Sequence, residues 1–248
     1  MEKESFFDEK NIKNNVKISN LKHIAFIMDG NRRWSKENNK DFKEGYIQGS
    51  IALNKCISDC HDYGIKYISV FAFSTSNFNR PKNEVDDFMK VFVNQLKIMM
   101  SDFMKLGVSA KFIGNISVLN DDLKKFFNDV EKKTKDNKDI LLQIAFNYSS
   151  REEIINSIKN IITKIKQSEI DIKDINQNLI SNELYTRKIP DPDLVIRTSG
   201  EVRISDFMLW QISFSELIFI KKYWPDFGKE DLKESICEYA KRKRNFGK

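Results

Sequence analysis

Residues 23–34 read HIAFIMDGNRRW: an apolar run leads directly into an acid, a Gly-Asn pair and two arginines. A short run rich in β-branched and aromatic side chains predicts a buried strand. In open α/β sheets the residues beyond the carboxyl end of a strand are the ones that meet a ligand. Gly30 permits tight backbone geometry, amides at a following helix start can face an anion, and the forked guanidinium groups of Arg32 and Arg33 suit phosphate. Asp29 opposes an anion unless a divalent cation stands between them. Taken alone, the stretch reads equally well as an Asp helix cap with two solvated arginines.

Working outward, similar apolar runs at 66–72, 108–113, 139–146, 193–196 and 216–220 alternate with segments of helical period at 45–62, 84–106, 120–135, 150–167, 176–184 and 229–244. That alternation predicts parallel strands joined by crossover helices: an α/β fold with an open, mostly parallel six-stranded sheet flanked by helices. The chain of 248 residues, 40% hydrophobic and 12% aromatic, is expected to form a single globular domain over 21–248, preceded by a flexible Lys/Asn-rich arm at 1–20. Segment 84–106 carries large, soft side chains at Val85, Phe88, Met89, Phe92, Leu96, Met99, Met100 and Phe103. That stripe reads either as an ordinary helix packed on a sheet or as the wall of an elongated hydrophobic tunnel.

Three further strand ends carry polar clusters. After the second strand, FSTSNFNRP at 73–81 offers Ser74, Asn77 and Arg80 to an anion and Phe78 to an apolar tail, although such a loop also reads as a turn. After the fifth, RTSGEVRIS at 197–205 sets Arg197, Arg203 and Ser205 around a Ser-Gly turn, a diphosphate cradle in outline. Glu216, opening the sixth strand, suits a metal or an arginine.

The bulk composition narrows the chemistry. A formal charge of +6 favours an anionic partner without choosing among nucleic acid, phosphorylated metabolites and acidic membrane surfaces. Two histidines give little support to Ser-His-Asp or His-rich metal catalysis, and neither GxxxxGK[ST] nor GxGxxG occurs. Three cysteines do not make a disulfide framework, so reduced thiols and a cytoplasmic setting are expected. With no apolar h-region and no span of about 18 apolar residues, any membrane contact is expected to be peripheral. The tail KRKRNFGK could by itself mark a nucleic-acid binder, but a polar helix end explains it as well.

HIAFIMDGNRRW, FAFSTSNFNRP, LLQIAFNYSSREEI and DLVIRTSGEVRISDFMLWQISFSELIFI followed by WPDF, in this order, resemble the cis-prenyltransferases, the undecaprenyl and dehydrodolichyl diphosphate synthases, over about residues 21–247. The resemblance implies Mg²⁺-dependent condensation of isopentenyl diphosphate with an allylic diphosphate such as farnesyl diphosphate, on an open sheet with a hydrophobic tunnel. The product would be a long polycis-polyprenyl diphosphate, precursor of a dolichol-type or undecaprenyl-type carrier lipid. By motif, Asp29 would be the catalytic acid and a metal ligand, with Glu216 as a metal-linked acid. Gly30, Asn31, Arg32 and Arg33 would cradle the allylic diphosphate with Trp34 beside the prenyl chain, flanked by Ser74, Phe78 and Arg80. Asn77 matches the residue of proton removal, and Arg197, Arg203 and Ser205 match the isopentenyl diphosphate site. Small Ala72 and Ser50 and larger Leu142 and Phe146 would bound the tunnel.

The resemblance further implies a homodimer, with a heteromer or a non-catalytic partner subunit as the rival, and peripheral contact with a membrane such as the cytosolic face of the endoplasmic reticulum. DGNRRW with RTSGE leans toward the dehydrodolichyl enzymes. Relatives often carry R-x-x-G-H where this chain has FKEGY at 42–46, so Phe42 and Tyr46 stand to lose two phosphate-facing groups unless Lys40 and Lys43 compensate. Ser76 replaces a common Glu, and Arg244 sits one residue early in the C-terminal motif.

Overall fold

The structure is a computed structural model and describes residues 8–242. Six strands, β1 (His23–Ile27), β2 (Tyr67–Ser74), β3 (Val108–Ile113), β4 (Ile140–Tyr148), β5 (Leu194–Arg197) and β6 (Glu216–Phe219), form one sheet in the order β3-β4-β2-β1-β5-β6. Every strand pairing in it is parallel. β1 is buried along its whole length, as expected of a strand covered on both faces. Its side chains alternate: Ile24 and Phe26 enter one core, Ala25 and Ile27 the other.

Eight α-helices accompany the sheet among the described residues: α1 (Glu9–Ile18), α2 (Asn31–Glu37), α3 (Phe42–Tyr63), α4 (Lys82–Lys105), α5 (Asp121–Thr134), α6 (Ser150–Lys166), α7 (Gln177–Glu183) and α8 (Lys229–Lys241). Local chemistry sets their ends. Asp41 caps α3 by accepting from the Lys43 amide and Gly64 closes it at φ 84°, while Asn120 caps α5 through the Leu123 amide.

The arm expected over 1–20 is ordered through most of its length. α1 buries Ile12 and Val16 and packs against α8, where Asn15 meets Cys237 and Glu9 pairs with Lys229. Its apolar positions, four apart, were masked by the surrounding lysines and asparagines. Residues 1–7 lie outside the described residues, as does Arg244 with its motif.

The larger core lies between the sheet and the helices α3, α4, α5 and α8, and it is strongly aromatic. Phe73 stacks on Phe88 at 4.7 Å and on Phe146 at 5.4 Å, and Phe112 stacks on Phe127 at 3.8 Å. The smaller core holds a buried polar knot in which Tyr148 donates to Glu153 at 2.5 Å and Gln211 reaches both Glu153 and Thr186. A second buried group steers the approach to β5: His23 joins the Pro190 carbonyl at 2.7 Å and the Ser69 hydroxyl at 2.8 Å. A carbonyl only accepts, so His23 carries its proton on Nδ1; Nε2 faces the Ser69 hydroxyl, which in turn donates to the Gln143 amide oxygen at 2.7 Å. Burial pushes the His23 pKa down to about 4, so the ring is neutral near pH 7.

Candidate active site

Strand order reverses beside β1, with β2 on one side and β5 on the other, and a crevice opens beyond the carboxyl ends of these strands. Thr198 locks two of the ends together: its hydroxyl accepts from the Asp29 amide at 3.0 Å and donates to the Asp29 carbonyl at 2.7 Å. Gly30 turns the chain into α2 at φ 107°, and a Cβ there would lie 2.6 Å from the Tyr223 ring. α2 then lies close on α3, because a Cβ at Gly49 would stand 2.4 Å from Asn31 Oδ1. The loop after β5 is held left-handed at Ser199, Ser205 and Asp206, a backbone cost that persists where the surroundings fix it.

The crevice is a cleft of about 840 Å³. Among the described residues its cationic lining comprises Arg32, Arg33, Lys36, Lys40, Arg80, Arg197 and Arg203, and Asp29 is its sole acid. Asp29 sits between two guanidinium groups, Arg33 at 3.0 Å and Arg197 at 2.8 Å. Burial pushes its carboxyl up, but hydrogen bonds from Arg197, Ser199 and Arg33 outweigh this and hold it below the usual carboxylate range. Arg197 is itself buried, donating to Ser205 at 2.7 Å and to the Arg203 carbonyl at 2.5 Å, while its Nε, also buried, has no partner. Glu201 orients the outer pair, accepting from Arg33 at 2.9 Å and from Arg203 at 2.5 Å.

At the other end the carboxylate stands behind the arginines. Glu84, buried in the first turn of α4, lies 3.2 Å from Arg80 and 3.4 Å from Arg32. Arg80 also donates to the Tyr46 hydroxyl at 2.7 Å. Here the cleft adjoins an apolar cavity of about 70 Å³, and Met28, Asn31, Tyr46, Phe71, Ala72 and Phe88 line both spaces. Beyond this throat Phe92, Leu96, Met99 and Phe103 of α4 face Ser50 and Leu53 of α3 and Leu142 of β4. The soft stripe of 84–106 is thus a cavity wall, while Phe146, expected at the boundary, stacks behind it in the core.

The expected site residues separate into groups. Asp29, Gly30, Asn31, Arg32, Arg33, Ser74, Asn77, Arg80, Arg197, Arg203 and Ser205 all line the cleft. Asn77 does so with its carbonyl oxygen committed to the Ser74 amide at 3.0 Å, and Ser74 shares a hydrogen bond with Ser76. Trp34, expected beside the prenyl chain, lines neither the cleft nor the cavity. It is nearly buried against the turn Trp224–Asp226, with Nε1 donating to Asp226 at 2.8 Å, because the helical period turns it away from Arg32 and Arg33. Phe78 is 41% exposed and meets Phe73 edge-on instead of lining either space.

Glu216 also stands apart. It opens β6 in register with Leu194, three residues before the strands reach the cleft, and accepts from Arg242 at 2.8 Å. Asp29 and Glu216 are therefore not brought together within this chain. Lys40 reaches the cleft and lies over the Trp34 ring at 5.1 Å, whereas Lys43 pairs with Asp87. Thr198, Ser199, Glu201 and Glu84 were missed by motif reading. The four-residue spacing between Arg80, just before α4, and Glu84 in its first turn was the available signal for the last.

The family model of undecaprenyl diphosphate synthases matches residues 27–247, nearly the whole of this architecture. The chain belongs to that prenyltransferase family. It is 41% identical to an isoprenyl transferase of Clostridium perfringens, over 91% of this chain and 89% of that one. It is 40% identical to the ditrans,polycis-undecaprenyl-diphosphate synthase of Micrococcus luteus, specific for (2E,6E)-farnesyl diphosphate, over 94% of each. The crystal structure of lavandulyl diphosphate synthase from Lavandula x intermedia, in complex with dimethylallyl diphosphate, superposes with a TM-score of 0.88 at 33% identity, over 91% of this chain and 98% of that one. In this prenyltransferase the strand ends, the arginine cleft and the cavity all fall inside the matched region.

Proposed function

We propose that the chain is a cis-prenyltransferase that condenses isopentenyl diphosphate with an allylic diphosphate such as farnesyl diphosphate to make a polycis-polyprenyl diphosphate. One observation carries this reading: a cleft lined by arginines opens through a shared throat into an apolar cavity, the shape of a charged head on a hydrocarbon tail. A diphosphate whose tail enters the cavity has its head at the throat, near Arg32 and Arg80. The end at Arg197, Arg203 and Ser205 then takes the five-carbon substrate. The rival reading, a non-catalytic partner subunit, is disfavoured because the cleft retains Asp29, Asn77 and every expected arginine.

In the reaction the allylic C–O bond breaks, C4 of isopentenyl diphosphate bonds to the allylic C1 and leaves positive charge on C3, and a proton then leaves C2 to form the new double bond. Negative charge gathers on the departing diphosphate, where Arg32, Arg33 and Arg80 are already oriented; such donors contribute on the order of 10²-fold or more in rate. The Asn77 amide oxygen is engaged and Asp29 is held ionised by arginines, so neither is a strong base. The departing diphosphate is the better proton acceptor, and Asn77 acts by holding the loop against it.

Mg²⁺ fits Asp29 as a one-carboxylate site completed by diphosphate oxygens, the usual way this ion is held, and would neutralise charge on the leaving group. Glu216 does not fit that site. The present cavity holds only a few water volumes, at about 10–15 Å³ for each, so a long product requires Phe92, Leu96 and Met99 to change rotamer.

The reading extends to a homodimer, supported by the exposed stripe Ile155, Ile158 and Ile162 on α6. It also extends to peripheral membrane contact and carrier-lipid synthesis, of dolichol or undecaprenyl type, supported by exposed Ile98 and Met104 on the tunnel helix and by the charge of +6. Among the described residues no helix is long and apolar enough to cross a membrane.

The test incubates pure protein with farnesyl diphosphate, labelled isopentenyl diphosphate and Mg²⁺, then resolves products by length. A ladder of five-carbon additions is expected; absence of growth by the protein alone, with growth on adding a second chain, would support the partner-subunit reading instead.

A further inference from the structure

Tyr46 occupies a position at which the sequence promised a lost contact, yet it stands at the throat and lines both cleft and cavity. Its ring is fixed between two aromatic neighbours, Phe88 edge-on at 5.0 Å and Phe42 edge-on at 6.3 Å. A guanidinium only donates, so at 2.7 Å from Arg80 the Tyr46 hydroxyl is the acceptor. Its own proton remains for a ligand. Arg80 shares Glu84 with Arg32, so Tyr46, Arg80, Glu84 and Arg32 form one connected set around the point where a head group would meet its tail. Burial pushes the phenol pKa up, with Arg80 pulling it back and Glu84 reinforcing the rise, so the hydroxyl keeps its proton at neutral pH.

We propose that Tyr46 is a binding residue for the allylic substrate, its hydroxyl donating to the diphosphate while its ring forms a collar around the first carbons of the chain. This rests on the prenyltransferase reading above. An O–H donor to an anion that also braces an arginine does the work of two groups: it satisfies one acceptor oxygen and fixes Arg80 toward another. Lys36 and Lys40 also line the cleft and supply charge as ammonium groups, without the fork of a guanidinium.

Tyr46→Phe keeps the ring and both aromatic contacts and removes only the hydroxyl. Calorimetry with farnesyl thiolodiphosphate, an analogue that does not ionise readily, should show binding weakened about ten-fold or more, as for a lost hydrogen bond to a charged group. In steady state the KM for farnesyl diphosphate should rise by a similar factor, while the KM for isopentenyl diphosphate moves less than about two-fold and the product lengths hold. Tyr46→Leu, which also removes the collar, should weaken the farnesyl analogue further than Tyr46→Phe does while binding inorganic pyrophosphate like Tyr46→Phe.

Unchanged affinity for the farnesyl analogue in Tyr46→Phe, or an equal rise in both KM values, would overturn the assignment. Should the wild type bind the analogue but never elongate a chain, the proposed function falls while the calorimetric comparison still decides the role of Tyr46.

Discussion

The two ends of the cleft solve the same electrostatic problem in opposite ways. At the β1–β5 end the carboxylate of Asp29 stands in the cleft itself, clasped by Arg33 and Arg197. At the throat the carboxylate of Glu84 is buried behind Arg32 and Arg80 and faces away from the ligand space. Both pairs of arginines are thus oriented in advance, but only at the first end is an acid available to a metal ion or to a reacting group. The difference assigns chemistry to one end and anchoring to the other: charge that develops during reaction needs a partner in reach, whereas a head group that only has to be held needs donors with their counter-charge out of the way.

The most severe break of this asymmetry is Asp29→Asn, which keeps the shape and can still accept from one arginine. Its kcat should fall on the order of 10³-fold with the thermal midpoint displaced by only a few degrees. A variant that retained near-normal turnover would remove the distinction between the ends.

A second way to sharpen the comparison is acid. The approach to β5, and so to Arg197, rests on neutral His23 and its bond to the Pro190 carbonyl. Its folded pKa of about 4 lies below the ordinary histidine value of 6.5, so the unfolded chain takes up the proton first. This contribution is intact above pH 6.5 and is lost as the pH falls toward about 4, in total about 3 kcal/mol. Denaturant midpoints measured across that window should drop, and a His23→Gln variant should lose most of this slope; equal slopes would show that His23 does not carry it.

The smallest effect is the most discriminating. Arg80→Lys should raise the KM for the allylic substrate about ten-fold and leave that for isopentenyl diphosphate almost unmoved, whereas Arg203→Lys should do the reverse. Parallel changes in both constants would mean that the cleft does not divide into two subsites.

Much of this was legible in the sequence because strands in a doubly covered sheet are continuous apolar runs, and polar residues placed just after them have no structural need to be there. The six strands, the helices from 42 onward and eleven cleft residues follow from that. What escaped had four physical causes. α1 hides two buried residues among solvated lysines, so its period is weak. Trp34 shares a motif with Arg32 and Arg33 but not a helix face, and only the packing against Asp226 reveals it. Glu216 is adjacent in sequence to strand residues, yet its depth along β6 depends on register, which pairs it with Leu194 rather than with the strand ends. Tyr46 and Glu84 were obscured for a different reason: each acts by orienting an arginine from another segment, a relation that spacing alone cannot express.

The placement of head and tail can be tested directly by photo-crosslinking with a farnesyl diphosphate analogue bearing a diazirine at the far end of its chain. Adducts should map to Phe92, Leu96 and Met99 on α4, and inorganic pyrophosphate in excess should suppress them. Labelling that instead falls on the exposed isoleucines of α6, or that persists under pyrophosphate, would contradict a head held at Arg32 and Arg80 with its tail in the cavity.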